Sequence, residues 1–446
     1  MAAELADAFA DGVWFVRLSR LADAELVLPT IAQTLGLRET ASQPIQAVVR
    51  EYLRPWQLLL VLDNFEQVVE AAPGVAALLE ASPKLTGLVT SRAVLHLRGE
   101  QEYPVPALAL PSPAAETTAN QRPAVEQVSQ SPAVALFVQR AQDAKPEFRL
   151  TDANAPTIAA ICARLDGLPL ALELAAARVK LLPPPALLKR LERRLPLLTG
   201  GARDLEARQQ TMRNALAWSY DLLEPPEQPL FRRLAVFVGG FTLEAAEAVC
   251  AAPEGAEPLG VDLLEGLDAL VDQRLVQQRE ENGTARFGML QVVREYALEQ
   301  LERNGEAEAL WRAHLTYFLT LAEEVELWLL GGPRLPEGLA RLEREHDNLR
   351  AALEWTRRQE EVALGLRLAG AVSRFWLLRG HLREGRERLD EVLALEAAGQ
   401  GARSAVHATS ADEAVAGSVR AKALFGAGEL ATFQGEFGRA VPLLEQ

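Results

Sequence analysis

The sequence predicts a multidomain protein in which an N-terminal α/β domain, built on a parallel sheet, precedes mainly helical domains. Three observations support this fold class. The chain has 446 residues, too many for a single hydrophobic core. Strand-like apolar runs alternate with helical patterns in residues 1–110, as expected for a parallel sheet covered by helices. Beyond that region, apolar residues recur mostly at helical spacing.

The predicted α/β domain covers residues 1–110. Strand patterns lie at 13–18, 58–63, 85–90 and, as a short final strand, around 103–105. Helical patterns lie between them at 24–35, 45–52 and 75–80. Because antiparallel hairpins need no helical crossovers, this alternation favours parallel strands.

The second predicted strand ends in a group of polar residues. The run LLLVLDNFEQ has five apolar residues followed by Asp63, with Asn64 and Glu66 just beyond it. Such a run fits a strand buried on both faces of a parallel sheet, and a carboxylate at its C-terminal edge faces the crevice where these sheets bind ligands. The position predicts a Mg²⁺ ligand beside a nucleotide. Taken alone, Asp63 fits a helix N-cap or a turn equally well.

The phosphate-binding loop that usually accompanies such a site is absent from these 446 residues. No G-x-x-x-x-G-K-[ST] motif occurs, because no lysine of the chain follows a glycine. Backbone N–H groups and the lysine of that loop provide most of the phosphate recognition. We therefore expect this chain alone to bind nucleotide poorly.

Four further regions follow the α/β domain. Residues 111–132 are rich in Pro, Ala, Thr and Gln and predict a linker, and 133–205 predict a helical domain. In 206–325, four helical patterns precede two strand-like runs around Asn282 and Gly283, which predicts a winged helix. In 335–446, helix pairs broken at Gly380 and Gly435 predict TPR-like repeats, with a loop at 399–417. The pattern stops without a capping repeat, which predicts a truncated array.

Composition narrows the function classes. The net charge of −15 disfavours nonspecific nucleic-acid binding, and the candidate recognition helix at 242–250 carries Glu244 and Glu247 but no cation. We found no apolar run of the ~18 residues that a membrane span needs. With an acidic N-terminus and two cysteines, the chain is predicted to be cytoplasmic with reduced thiols. The five histidines show no metal-binding spacing and are predicted to be surface or partly packed groups.

Several blocks, in one order, carry a family resemblance. They are VWFVRLSRL, LLLVLDNFEQV, GLVTSRAVLHLRGEQEYPVPAL, DGLPLALELAAARV, ALAWSYDLL, LFRRLAVFVGGFTLEAAEAV and VVREYALEQL. On these blocks the chain resembles the bacterial STAND ATPases, the NB-ARC-like regulators of LuxR-type and AfsR-like transcription factors. The resemblance covers nearly the whole length and implies a partial P-loop NTPase domain. Since a Walker A loop precedes the first helix in that family, it also implies a chain that begins just past this loop.

The resemblance implies roles for individual residues. It assigns Asp63 to Mg²⁺, with Glu66 assisting hydrolysis because Asn64 replaces a second acid. Thr90, Ser91 and Arg92 close the next strand, and the resemblance implies that Thr90 also contacts the nucleotide. Arg92 would contact the terminal phosphate, since a guanidinium binds phosphate oxygens bidentately; a surface pair of Arg92 with Glu100 or Glu102 is the alternative.

Two further motifs of the family fall outside the α/β domain. Gly167 and Pro169 match a GLPL motif near the adenine, although the same residues make an ordinary helix stop and restart. Leu290 stands where relatives have a histidine that contacts ADP, so that latch is absent or rebuilt from residues such as Arg294.

The function implied is a nucleotide-dependent switch that regulates transcription. In the intact protein, ADP would be exchanged for ATP with Mg²⁺, a signal would be sensed through the TPR-like repeats and their protein partners, and the chain would form a homo-oligomer on activation. Hydrolysis of ATP would belong to the intact protein. Contact with DNA would be made by an effector domain outside this chain. The alternatives are a nonenzymatic interaction scaffold or a winged-helix DNA-binding regulator.

Overall fold

A computed structural model describes residues 8–445 except 20, 22, 38–42, 112–124, 192–193, 200–209, 252–255, 282 and 403–409. These residues form two compact units. Unit 1 comprises Met1–Glu224 and Asp268–Val276, and unit 2 comprises Pro225–Leu267 and Gln277–Gln446. The chain is mainly helical, with a small parallel sheet in unit 1 and a hairpin in unit 2.

The sheet of unit 1 has three parallel strands in the order β1-β2-β3: Val13–Arg17, Leu59–Asp63 and Thr86–Val89. The central strand β2 is buried from Leu59 to Leu62, which confirms the prediction of a strand covered on both faces. Its register pairs Arg17 with Asp63 and Leu62 with Val89. The C-terminal ends of the three strands therefore lie at one edge.

Three helices, α1 (Val27–Thr34), α2 (Ile45–Leu53) and α3 (Ala72–Ala81), connect the strands. Their apolar residues form one core with the sheet, including Ile31, Val49 and Leu78. The strand predicted around 103–105 does not form, and Tyr103 and Val105 are each 86% exposed. This segment continues to Leu108, which pairs with the turn at Gly167 instead of the sheet edge.

Six helices complete the first part of unit 1: α4 (Val125–Ser129), α5 (Pro132–Ala144), α6 (Ala155–Arg164), α7 (Pro169–Ala176), α8 (Pro184–Arg190) and α9 (Met212–Asp221). The predicted linker at 111–132 lies largely outside the described residues, but its last part contains α4 and the buried Val128. Helix α5 packs against α7, and α6 packs against α8. These contacts agree with the predicted helical region after the sheet.

Three helices and a hairpin follow: α10 (Glu227–Arg233), α11 (Leu243–Cys250), α12 (Leu263–Asp272), β4 (Gln277–Glu281) and β5 (Thr284–Gly288). The hairpin is antiparallel, as predicted, although Asn282 of its turn lies outside the described residues. Phe241 adds an antiparallel bridge to Phe287. Helices before a hairpin, with a short strand between them, have the element order of a winged helix.

The remainder of unit 2 is helical: α13 (Gln291–Arg303), α14 (Ala307–Glu326), α15 (Leu335–Arg344), α16 (His346–Arg358), α17 (Val362–Arg379), α18 (Leu382–Ala402), α19 (Ser410–Phe433) and α20 (Phe437–Glu445). Helix α17 packs against α18, and α19 packs against α20, so helix pairs form at the predicted turns. The predicted loop at 399–417 was wrong in part, because 399–402 extend α18 and 410–417 belong to α19. No helix in the described part of the chain is long and apolar enough to cross a membrane.

Candidate functional site

The predicted metal ligand lies at the C-terminal edge of the parallel sheet. Asp63 is the last residue of β2, and Thr90 follows the last residue of β3. The Thr90 hydroxyl donates a hydrogen bond to Asp63 Oδ1 at 2.7 Å, and the Asn64 backbone N–H donates to Thr90 Oγ1 at 3.0 Å. The structure thus brings together two predicted site residues that are 27 positions apart. The hydrogen bond from Thr90 orients the carboxylate of Asp63, which is partly exposed.

The turn after β2 has an unusual backbone. Asn64 has φ 63° and ψ 59°, in the left-handed region, where Asn is tolerated better than most residues. Next to it, Phe65 is fully buried and its N–H donates to Thr90 O at 2.9 Å. The Asn64 amide lies 3.4 Å from Glu66 Oε1. The two predicted acids, Asp63 and Glu66, therefore lie on either side of the buried Phe65 in the chain.

Arg92 contacts helix α9. Its Nη1 donates to Ser219 Oγ, and its guanidinium carbon lies 5.2 Å from the centre of the Trp218 ring. The two acids considered as surface partners are engaged differently. Glu100 accepts hydrogen bonds from the backbone N–H groups of residues 95 and 97, and Glu102 pairs with Arg274 at 3.4 Å. The structure thus links the predicted phosphate sensor to α9.

The GLPL segment forms a close turn between α6 and α7. Asp166 and Gly167 both have positive φ, 53° and 65°, and Pro169 starts α7, where its missing N–H costs nothing. Leu108 N–H donates to Gly167 O at 3.0 Å. A Cβ on Gly167 would lie 2.3 Å from Leu108 O. The glycine is required by backbone geometry, so its presence alone does not demand a nucleotide.

The order of helices in the winged helix places the recognition helix later in the chain than the predicted segment 242–250. In a helix-turn-helix pair the second helix reads DNA, and here the helix directly before the hairpin is α12, whereas the sequence pointed to the segment of α11. Helix α12 carries Glu265, Asp268 and Asp272 and no cation. Asp272 Oδ2 lies 3.6 Å from His96 Nε2, and burial, followed by the nearby Asp268 charge, raises the pKa of Asp272. This surface is acidic and unsuited to phosphate contact.

Leu290 and Arg294, at the position where the resemblance implies an ADP contact, have structural roles within unit 2. Leu290 is the N-cap residue of α13, and Arg294 Nε donates to the Phe237 carbonyl at 2.6 Å. Both residues belong to unit 2. Within this unit, Arg294 therefore binds the backbone between α10 and α11.

A buried polar cluster was missed by sequence reasoning. Arg286 of β5 pairs with Glu345 at 2.5 Å, and Asn348 donates to Glu345 Oε2 at 2.8 Å and accepts from Val238 N–H at 2.7 Å. His314 is fully buried 3.4 Å from Asn348 Oδ1, and its burial lowers its pKa to about 3, so it is neutral. The partners lie far apart in sequence, so no local spacing indicated them. The cluster attaches the hairpin to α16.

Comparison with known proteins identifies mycobacterial relatives. The chain is 36% identical over 317 residues to "Uncharacterized protein Rv0894" of Mycobacterium tuberculosis, covering 70% of this chain and 75% of Rv0894. The chain belongs to the Rv0894 family. It is also 37% identical over 385 residues to "Putative HTH-type transcriptional regulator Rv0890c" of the same organism, covering 86% of this chain. This chain spans only 41% of the length of Rv0890c.

Within this member of the Rv0894 family, residues 223–302 match a family model described as a winged helix-turn-helix domain. The match contains α10 to α12, the hairpin and all of α13 except its last residue. Two solved structures also align: the ORC2 protein of Aeropyrum pernix, at TM-score 0.34, 12% identity and 67% coverage of this chain and 82% of that one, and a STAND protein with a tetratricopeptide repeat sensor from Pyrococcus horikoshii, at TM-score 0.25, 12% identity and coverage of 99% and 71%. Similarity at this level decides nothing about the function of this chain.

Proposed function

We propose that this chain is the switch region of a nucleotide-dependent regulator of transcription that acts in the cytoplasm. The observation that carries the proposal is the arrangement of Asp63 and Thr90 at the C-terminal edge of the sheet, joined by a 2.7 Å hydrogen bond. Open parallel sheets bind ligands at this edge. A carboxylate oriented by a hydroxyl from the neighbouring strand suits Mg²⁺, which takes oxygen ligands and keeps several waters.

In this proposal Asp63 holds the Mg²⁺ of ATP or ADP, and Thr90 orients its carboxylate. Glu66 is the acid available for activating water, since Asn64 cannot accept a proton from it. Gly167 and Pro169 contribute to the adenine pocket in the intact protein. Hydrolysis of ATP would also need a phosphate-binding loop, and no such motif occurs among these 446 residues.

Arg92 supplies the switching contact. It is bound to Ser219 and lies over Trp218, both on α9. A terminal phosphate would compete for the same guanidinium, since charge-assisted bonds to phosphate are about twice as strong as neutral ones. Engagement of Arg92 by ATP, but not by ADP, would therefore release α9. A ligand shifts such an equilibrium only through this differential contact.

The proposed role in transcription is supported by the similarity to Rv0890c, described as a putative HTH-type transcriptional regulator, and by the winged helix. Because α12 lacks cations, we assign DNA contact to an effector domain outside these residues. The helix pairs α17–α18 and α19–α20 are the proposed TPR-like sensor of a signal through protein partners, and activation would produce a homo-oligomer.

The test is calorimetric titration with Mg-ATP and Mg-ADP. It compares this chain with the same chain preceded by a segment that supplies a G-x-x-x-x-G-K-[ST] loop. We expect weak or no binding by the shorter chain and binding by the longer one, lost in Asp63→Ala and weakened for ATP more than for ADP in Arg92→Ala. Glu70→Ala, an exposed acid after the same strand, is the control. Failure of the longer chain to bind either nucleotide would refute the switch.

A nonenzymatic interaction scaffold is the second candidate. It is favoured by the large apolar side chains that α19 and α20 expose, namely Phe425 at 55%, Phe433 at 68% and Phe437 at 64%. Such residues on one helix pair are typical of protein contact surfaces. No nucleotide binding by the longer chain, combined with capture of a protein partner that is lost in Phe433→Ser and Phe437→Ser, would favour this account.

A further inference from the structure

Two histidines and a glutamate converge where two helical turns of unit 2 meet. Glu343 lies near the end of α15, His346 is the first residue of α16, and His381 lies between α17 and α18. One potential ligand atom from each residue lies within 4.8 Å of the other two. The histidines are 35 positions apart, so their sequence spacing gave no indication of a shared site. The sequence spacing predicts surface or partly packed histidines, whereas the fold buries His346 close to Glu343 and His381.

Pairwise distances show how closely these side chains approach one another. His381 Nε2 lies 3.7 Å from Glu343 Oε1, and the two imidazole rings are 4.6 Å apart. His346 Nε2 lies 3.5 Å from Glu384 Oε1. The His381 Nε2 atom is buried and makes no hydrogen bond within the described residues. A buried ring nitrogen facing a carboxylate oxygen at non-bonded distance is an arrangement that a bound cation would satisfy.

The surrounding charges leave a suitable donor set. Arg379 Nε lies 3.2 Å from Glu343 Oε2, so the other oxygen, Oε1, remains directed at His381. Arg350 engages both oxygens of Glu384, at 2.5 and 2.6 Å. Metal-binding carboxylates are commonly oriented by such outer partners.

We propose that Glu343, His346 and His381 bind a divalent transition-metal ion, with Zn²⁺ as the best match. Two imidazole nitrogens and a carboxylate oxygen are a common zinc donor set, and a fourth position would be filled by water. Zinc bonds of about 2.1 Å in a tetrahedral site place ligand atoms roughly 3.4 Å apart, so the side chains would move inward by about 1 Å. His381, in a turn and partly exposed, can make this adjustment.

The competing account is a packed histidine pair without metal. Both rings lie against Phe375, at 5.1 and 5.7 Å between centroids, and Trp376 Nε1 donates to His346 Nε2 at 3.4 Å. A metal on that nitrogen would displace this long hydrogen bond. The two accounts differ in a measurable way, because a packed pair needs no ion and does not prefer transition metals over Mg²⁺.

A metal here would join α15, α16 and the α17–α18 turn. Glu345, adjacent to His346, pairs with Arg286 of the hairpin and accepts a hydrogen bond from Asn348. Zinc binding would therefore stabilise the part of unit 2 in which the helix pairs attach to the winged helix. This role is independent of nucleotide binding in unit 1.

The test is titration of the intact 446-residue chain with Zn²⁺ by calorimetry, after treatment with a chelator. We expect one Zn²⁺ per chain, and a Co²⁺ complex whose visible absorption indicates mixed nitrogen and oxygen ligands. His381 is partly exposed and Glu343 is exposed. His381→Gln and Glu343→Gln should each weaken Zn²⁺ binding by about tenfold to a hundredfold. His96→Gln, an exposed histidine of unit 1, should leave it unchanged.

Thermal unfolding gives a second readout. Zinc should raise the melting temperature of the original chain and of His96→Gln, but not of His381→Gln. Absence of stoichiometric Zn²⁺ binding would overturn the proposal, as would full affinity in both His381→Gln and Glu343→Gln. If His346→Gln fails to fold because that residue is buried, the other two variants still decide the question.

Discussion

Replacement of Gly167 by alanine should destabilise unit 1 strongly. Gly167 has φ +65°, and an added Cβ would lie 2.3 Å from Leu108 O, 3.3 Å from Leu108 C and 3.4 Å from Leu108 N. The obstacle is backbone, which cannot rotate away as a side chain would. The segment at Leu108 would have to move, and its N–H bond to Gly167 O at 3.0 Å would be lost or stretched.

The magnitude follows from three contributions. A non-glycine residue in the left-handed region costs about 1–2 kcal/mol, and loss of a hydrogen bond costs about 1 kcal/mol. Movement of this segment also strains the neighbouring bond from Ser131 Oγ to Ala109 O, at 2.7 Å, worth about another 1 kcal/mol. We expect Gly167→Ala to reduce the free energy of unfolding by about 3–4 kcal/mol, the sum of these contributions.

Gly36→Ala is the matched control. Gly36 lies in the same unit with φ +75°, but an added Cβ would meet nothing within 4 Å. It should therefore incur only the backbone cost of about 1–2 kcal/mol.

The assay is hydrogen exchange of α5 and α7 under increasing urea, which reports on unit 1 separately. Equal destabilisation by the two substitutions would refute this prediction, because it would mean that Leu108 does not obstruct a Cβ at position 167.

Two further predictions concern buried groups. Glu306→Gln should cost about 3–5 kcal/mol of unfolding free energy, because Arg233 would be left buried without its ionic partner. Burial opposes ionisation of Glu306, but hydrogen bonds from Arg232 and Arg233 outweigh it and lower its pKa. The stability that Glu306 provides is therefore present above its usual pKa of 4.5 and is lost as the pH falls through its lower folded pKa. As the pH falls below 4.5, the urea midpoint should decrease in the original chain and change less in Glu306→Gln. Burial raises the pKa of Cys162 to about 12 and also raises that of Cys250, so neither thiol should react with iodoacetamide at pH 8 until urea unfolds the chain; rapid labelling of folded protein would contradict this.

Local pattern predicted the sheet and most helices well. The apolar run before Asp63 predicted β2 because burial on both faces requires such a run. Residues 103–105 were misassigned, since alternation cannot reveal whether a strand has a partner, and this segment pairs with Gly167 instead. The loop at 399–417 was misassigned because glycine and serine suggested a break, yet residues at both ends of it continue α18 and α19.

The site residues also differ in whether the sequence could indicate them. Asp63 and Thr90 could be placed together from sequence because parallel strands end at one edge of a sheet. The Glu343, His346 and His381 cluster could not, because it depends on how one helix pair packs against another. The choice of α11 as recognition helix failed for a similar reason: only the order of helices before the hairpin distinguishes α12.

The central claim, that Asp63 holds the metal of a bound nucleotide, is tested most directly with Mn²⁺ in place of Mg²⁺. Electron paramagnetic resonance on the loop-extended chain with ADP measures free Mn²⁺ and hence its affinity. We predict that Asp63→Ala weakens Mn²⁺ binding by at least about tenfold, whereas Glu70→Ala leaves it unchanged. Equal Mn²⁺ affinity in the Asp63→Ala variant and the original chain would contradict the account.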